Sequence, residues 1–129
     1  MNRVDYLTEL MKNDVKLICI AEKDVEQMKL NLADALKRAE EKCDSYEKMY
    51  EGDDRLIMTA YDEYEAVRSP LTQLEALLRD FKICLINHYE QLLIEKQVYN
   101  HGIGNSLDKS KKNLLKMDET VEIIKGVLI

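Results

Sequence analysis

Two histidines, His88 and His101, and three cysteines, Cys19, Cys43 and Cys84, stand among 25 acidic residues in a chain of 129. These are the side chains that could hold a metal or move a proton. Helical di-metal centres set Glu-x-x-His pairs on facing helices, but the residues three before His88 and His101 are Leu85 and Val98. His88 falls at a d-like position of an apolar stripe and reads as a structural, register-setting polar residue. His101 falls in a break and reads as solvated. No metal and no cofactor are expected.

No cysteine sits in a motif that would lower its pKa. Cys19 is expected to be peripheral, Cys84 to pack, and Cys43 to lie on a side stripe. Their odd number, wide spacing and lack of C-x-x-C argue against a disulfide framework. They point instead to a reducing, intracellular and cytoplasmic setting. Nothing singles out a catalytic carboxylate pair. The segment "HGIGNS" is neither G-x-G-x-x-G nor a Walker sequence and reads as a helix-to-helix turn. Lys109, Lys111, Lys112 and Lys116 cluster near one helix start but are diluted by Asp108, Asp118 and Glu119, so a solvated face is expected. A net charge of −6 disfavours nucleic acid and anionic membranes as partners. The most apolar segment, residues 77–94, is too interrupted by charge to span a membrane. The opening "MNRVDYLTELMKND" lacks the pattern of a signal peptide. The expectation is a protein that is not an enzyme.

The stretch 40–66 is chemically distinct. It holds ten acidic and three basic residues and four of the seven tyrosines, Tyr46, Tyr50, Tyr61 and Tyr64. Leu36, Cys43 and Tyr50 recur every seven residues beside the main stripe. Tyrosine and methionine bury large area at modest entropic cost, so interfaces favour them. Leu36, Cys43, Tyr46, Tyr50, Ile57, Tyr61 and Tyr64 are therefore the candidate protein-binding residues. Their partner would offer an apolar groove rimmed by basic side chains.

The elements that must position these residues follow from periodicity. Good helix formers abound, with four glycines and one proline. From Val4, steps of three and four reach Leu7, Met11, Asp14, Ile18, Ala21, Val25, Met28, Leu32, Ala35, Ala39, Lys42, Tyr46 and Met49. Only Asp14 and Lys42 interrupt this seam, which has coiled-coil spacing. Gly52 suits a helix end, and Asp53 or Asp54 a new cap. A second seam runs from Ile57 through Ala60, Tyr64, Val67, Leu71, Leu74, Leu78, Phe81, Leu85, His88, Leu92, Glu95 and Tyr99. It passes Pro70 without a phase slip, so one long helix bent near Pro70 is expected rather than two. Asn105 or Ser106 would cap a third helix with the stripe Leu107, Leu114, Met117, Val121, Ile124 and Leu128.

The predicted fold is all-α: an elongated antiparallel three-helix coiled coil with helices at about 4–51, 54–100 and 106–128. It forms a single domain, with a two-helix tip around 36–66 and a three-helix half built from 4–28, 77–100 and 106–128. Extra apolar residues between Leu77 and Val98 suggest more surface than one short helix covers, hence a homo-oligomer or a second subunit. The expected role is a small adaptor or structural subunit that binds proteins through helix packing. The alternative is a chaperone-like or inhibitory protein that sequesters one client helix. A third class is an enzyme or cofactor bundle.

Overall fold

In a computed structural model of the chain, the described residues are 2–50 and 58–129, with positions 49 and 50 described by backbone alone. They are all-helical. In chain order the elements are α1 (Arg3–Tyr50), α2 (Asp62–Glu95), α3 (His101–Lys112) and α4 (Leu114–Val127). The expected break at Gly52–Asp54 lies outside the described residues, as does Ile57. The chain divides into two compact units, one of Met1–Ala21 with Leu77–Ile129 and the other of Glu22–Ala76.

α1 begins where Asn2 caps it, with the Asp5 amide donating to the Asn2 side chain at 2.8 Å. Its seam is the buried stripe: Leu7, Met11, Ile18, Ala21, Val25, Ala35 and Ala39 are all buried. Asp14 is buried with them, whereas Lys42 is exposed. On α2 the stripe continues through Leu71, Leu78, Leu85 and Leu92, all buried, while Glu95 and Tyr99 fall outside it. Pro70 lies inside α2 at an exposed position. It removes one N–H from the helix ladder, and the helix continues on both sides of it.

The expected single helix over 54–100 is corrected at both ends: a turn at Ala60 and Tyr61 precedes α2, which begins at Asp62, and α2 stops at Glu95, five residues earlier than the spacing predicts. Gln97 takes a left-handed conformation, φ 61°. The Val98 amide then donates to the Leu93 carbonyl and the Gln97 amide to the Ile94 carbonyl, both at 3.0 Å. This is a Schellman end built on glutamine instead of glycine, so composition gave no sign of it.

The expected turn at "HGIGNS" is instead the first half of α3. Asn100 caps it by accepting from the Ile103 amide at 2.9 Å, in place of Asn105 or Ser106. Gly104 is buried against Tyr99, whose ring would meet any added Cβ.

The single third helix is also corrected: it is two helices. Asn113 is extended, and its side chain accepts from the Leu115 and Lys116 amides at 3.0 and 3.2 Å. Asparagine satisfies orphan donors in this way better than it continues a helix. α4 then doubles back on α3. In an unbroken helix, residues ten apart are about 15 Å apart, but the Ser110 and Thr120 hydroxyls lie 2.7 Å apart. The break also shifts the phase of the stripe. Ser110 is buried, Leu114 is exposed, and Met117, Val121 and Ile124 are buried as expected. Lys82 of α2 reaches Asp118 of α4 at 2.8 Å, and Lys111 of α3 reaches Glu90 of α2 at 3.7 Å. These pairs join the helices of the first unit.

Candidate functional site

Cys84 and His88 are one helical turn apart on α2, so both side chains leave the same face. The first unit sets Asp14 of α1 opposite them. His88 Nδ1 lies 2.6 Å from Asp14 Oδ2 and 3.8 Å from Cys84 Sγ. One ligating atom from each of the three residues falls within 4.8 Å of the others. With Asp14 as carboxylate, Nδ1 carries the proton and donates it. The pairing is antiparallel, because Arg3 of α1 likewise meets Glu95 of α2 at 3.7 Å.

Burial raises the Cys84 thiol above its ordinary range. The charge of Asp14 and a hydrogen bond from the thiol to it act in the same direction. The thiol is therefore a poor nucleophile. The geometry also lacks a catalytic relay: a Cys–His–Asp relay needs thiol and carboxylate on opposite ring nitrogens, and here both approach Nδ1. Among the described residues no buried side-chain N or O lacks a partner. The cluster is closed by its own protons.

By periodicity His88 stands on the core stripe of its helix and Asp14 interrupts the other seam. Periodicity alone does not pair the two. The signal was available, because Asp14 lies 38 residues before Gly52 and His88 lies 36 after it. Two helices paired antiparallel bring together positions at similar sequence distances on either side of their connection.

The candidate binding residues of stretch 40–66 belong to the second unit. Leu36, Cys43, Tyr46, Tyr61 and Tyr64 are each half-buried. The Tyr50 side chain and Ile57 lie outside the described residues. Tyr61 and Tyr64 meet edge to face, 6.5 Å between ring centroids with planes at 88°. Burial pushes the Tyr61 phenol up, and Cys43, Glu40, Asp44 and Glu47 of α1 push it the same way. Burial also raises the Cys43 thiol, helped by Glu47 and Asp44. Both groups stay protonated at neutral pH. A forked pair ties α1 to α2 nearby: Arg38 Nη2 and Nε donate to Glu63 Oε1 at 2.6 and 3.0 Å.

The chain matches no protein-family model, and neither a curated protein nor a solved structure is significantly similar to it. Its function has to be argued from its own surface.

That surface is uneven. Among the described residues, the large apolar side chains that stand exposed belong to the first unit, except Leu30 and Met58. Leu114 and Leu115 open α4 at 60% and 77% exposure, and Ile123 and Val127 follow on the same helix. Leu17 and Ile20 of α1 and Leu77 and Ile94 of α2 add to this group. A groove of about 450 Å³ has Val15, Leu128 and Ile129 as its apolar part, and Lys12, Lys16, Lys125 and Glu9 also line it. Of the lysines singled out in sequence, Lys111 pairs with Glu90 and Asp108, while Lys109 and Lys116 line the cleft between α3 and α4 with Glu119. Among the described residues, no helix is long and apolar enough to cross a membrane.

Proposed function

We propose that this protein is a non-catalytic helical module, a small adaptor or subunit that binds another protein by helix packing. One observation supports this reading above the others: exposed aliphatic side chains gather on the first unit, with Leu114 and Leu115 adjacent at the head of α4. Scattered single apolar residues are ordinary on a surface. Leu114 and Leu115 are neighbours in the chain at one helix end, and an adjacent exposed pair of this kind favours an interaction site there. Leucines there would supply burial, and the surrounding charges would set orientation and on-rate.

The half-buried tyrosines of the second unit are a competing face on the same protein. The two faces separate in one experiment. The paired change Leu114→Asp with Leu115→Asp puts acids on the first turn of α4, where they suit the positive helix end, so the fold should hold. Partner affinity should fall by more than about tenfold, as when buried anchors are lost. Tyr50→Ala with Tyr61→Ala should leave affinity within about threefold. The reverse outcome would move the interface to the second unit. Loss in neither variant would sink the reading.

A second reading draws on the groove at Val15, Leu128 and Ile129. A groove lined by these apolar residues together with Lys12, Lys16, Lys125 and one acid, Glu9, would suit one acidic amphipathic helix, the client of an inhibitory or chaperone-like protein. Monomeric behaviour with 1:1 binding, abolished by Leu128→Asp, distinguishes it from an adaptor that bridges two partners.

A further inference from the structure

We propose that Asp14, Cys84 and His88 form a binding site for one divalent transition metal ion of the zinc type, clamping α1 to α2 within the first unit. The three ligand types are carboxylate, thiolate and imidazole, the set that a borderline-soft ion takes. Cys84 and His88 sit at i and i+4, the spacing by which a single helix presents two ligands to one ion. Asp14 supplies the third from the facing helix.

Tetrahedral zinc with ordinary bond lengths sets its ligand atoms about 3.4–3.6 Å apart. The sulfur–nitrogen separation here is 3.8 Å and the oxygen–nitrogen separation 2.6 Å. The two separations measured from Nδ1 each differ from those values by less than about 1 Å, and the sulfur and the carboxylate oxygen lie within 4.8 Å of each other, within the reach of side-chain torsions. Charge also matches: a thiolate and a carboxylate neutralise a dication, which a partly buried place between helices requires. His88 keeps about a quarter of its side chain exposed, which leaves a route for the ion and for a water as fourth ligand.

The proton balance follows from the metal-free geometry. The Asp14 carboxylate exchanges its hydrogen bond with His88 for a metal bond. The Cys84 thiol loses its proton to solvent as the metal–sulfur bond forms. A neutral His88 shifts its proton from Nδ1 to Nε2 and binds through Nδ1. One proton is released per metal. The cluster is hydrogen-bonded without the ion, so the metal-free chain remains folded and the ion adds to it.

The test uses the full chain stripped with chelator and titrated with Co²⁺, whose thiolate complexes absorb by sulfur-to-metal charge transfer. One Co²⁺ per chain should bind, give that absorption, release about one proton, and be displaced by Zn²⁺. Cys84→Ser should abolish the band, and Cys19→Ser with Cys43→Ser should leave it intact. Asp14→Asn and His88→Gln should each weaken binding by more than the ~10-fold that even outer-sphere changes cost. A measurement on unaltered protein guards against a variant that fails to fold: Zn²⁺ should slow alkylation of Cys84 and leave exposed Cys19 unaffected. Absence of the band, its persistence in Cys84→Ser, or equal alkylation of Cys84 with and without Zn²⁺ overturns the proposal.

Discussion

Replacing Gln97 by glycine should stabilise this protein, and by an amount that its backbone allows to be worked out. Gln97 is exposed and holds φ 61° at the C-terminal end of α2. A left-handed conformation costs an L-residue with a Cβ about 1–2 kcal/mol. Glycine removes that cost and adds about 0.5–1 kcal/mol of chain entropy to be lost on folding. The net gain is about 0.5–1 kcal/mol. For a chain of 129 residues, an unfolding entropy of about 2.1 cal/mol/K per residue gives about 0.27 kcal/mol/K, so the melting temperature should rise by about 2–4 °C. Thermal melts followed by circular dichroism measure this directly. Gln97→Val is the opposed control: a branched Cβ is least tolerated at positive φ, and its melting temperature should fall. A Gln97→Gly variant that melts at or below the parent would refute the argument. It would mean that the two amide bonds at this end, Val98 to Leu93 and Gln97 to Ile94, do not depend on the left-handed residue.

Three further outcomes are expected. Pro70→Ala should add about 1–3 kcal/mol in denaturant unfolding, because alanine restores the N–H that the α2 ladder lacks and removes the ring's pressure on the preceding turn. A loss would show that α2 needs the shape proline imposes. Asn113→Ala should cost about 1 kcal/mol through the lost cap to Leu115 and Lys116, and hydrogen exchange at those two amides should rise; unchanged exchange would place their protection elsewhere. The hydrogen bond and charge of Arg38 hold the Glu63 carboxyl below its ordinary range. A depressed carboxyl stabilises the fold at neutral pH and ceases to do so as pH falls through its folded-state value. The melting difference between parent and Glu63→Gln should therefore be small at pH 7, as for any exposed pair, and should vanish in acid. A difference that stays constant with pH would rule out the pair as its source.

What was local in this chain could be read directly. The 3-4 spacing from Val4 to Ala39 marked the buried face of α1, because helix geometry alone decides which side chains share a side. The unbroken phase across Pro70 marked residues 62–95 as one helix for the same reason, but the same phase also ran through Ala60 and Tyr61, where the chain turns. Chemistry of the termini was legible only in part. Asn100 and Asn113 are ordinary cap residues, but a chain offers many asparagines, and the seven-residue interval from Leu107 to Leu114 masked the break at Asn113. Gln97 carried no signal, since glutamine is a good helix former and its positive φ is seen only in the folded backbone, with the hydrogen bonds that close the helix end. The cluster at Asp14, Cys84 and His88 lay furthest from view. Each residue is unremarkable on its own helix, and 70 residues separate Asp14 from Cys84. Periodicity tells which face of a helix is buried. Which groups meet across that face depends on the register of two helices, and register is set by the sum of many contacts along them. The helical class and the buried stripes were thus determined by the sequence itself. The meeting of a carboxylate, a thiol and an imidazole around one nitrogen was decided only when the helices packed.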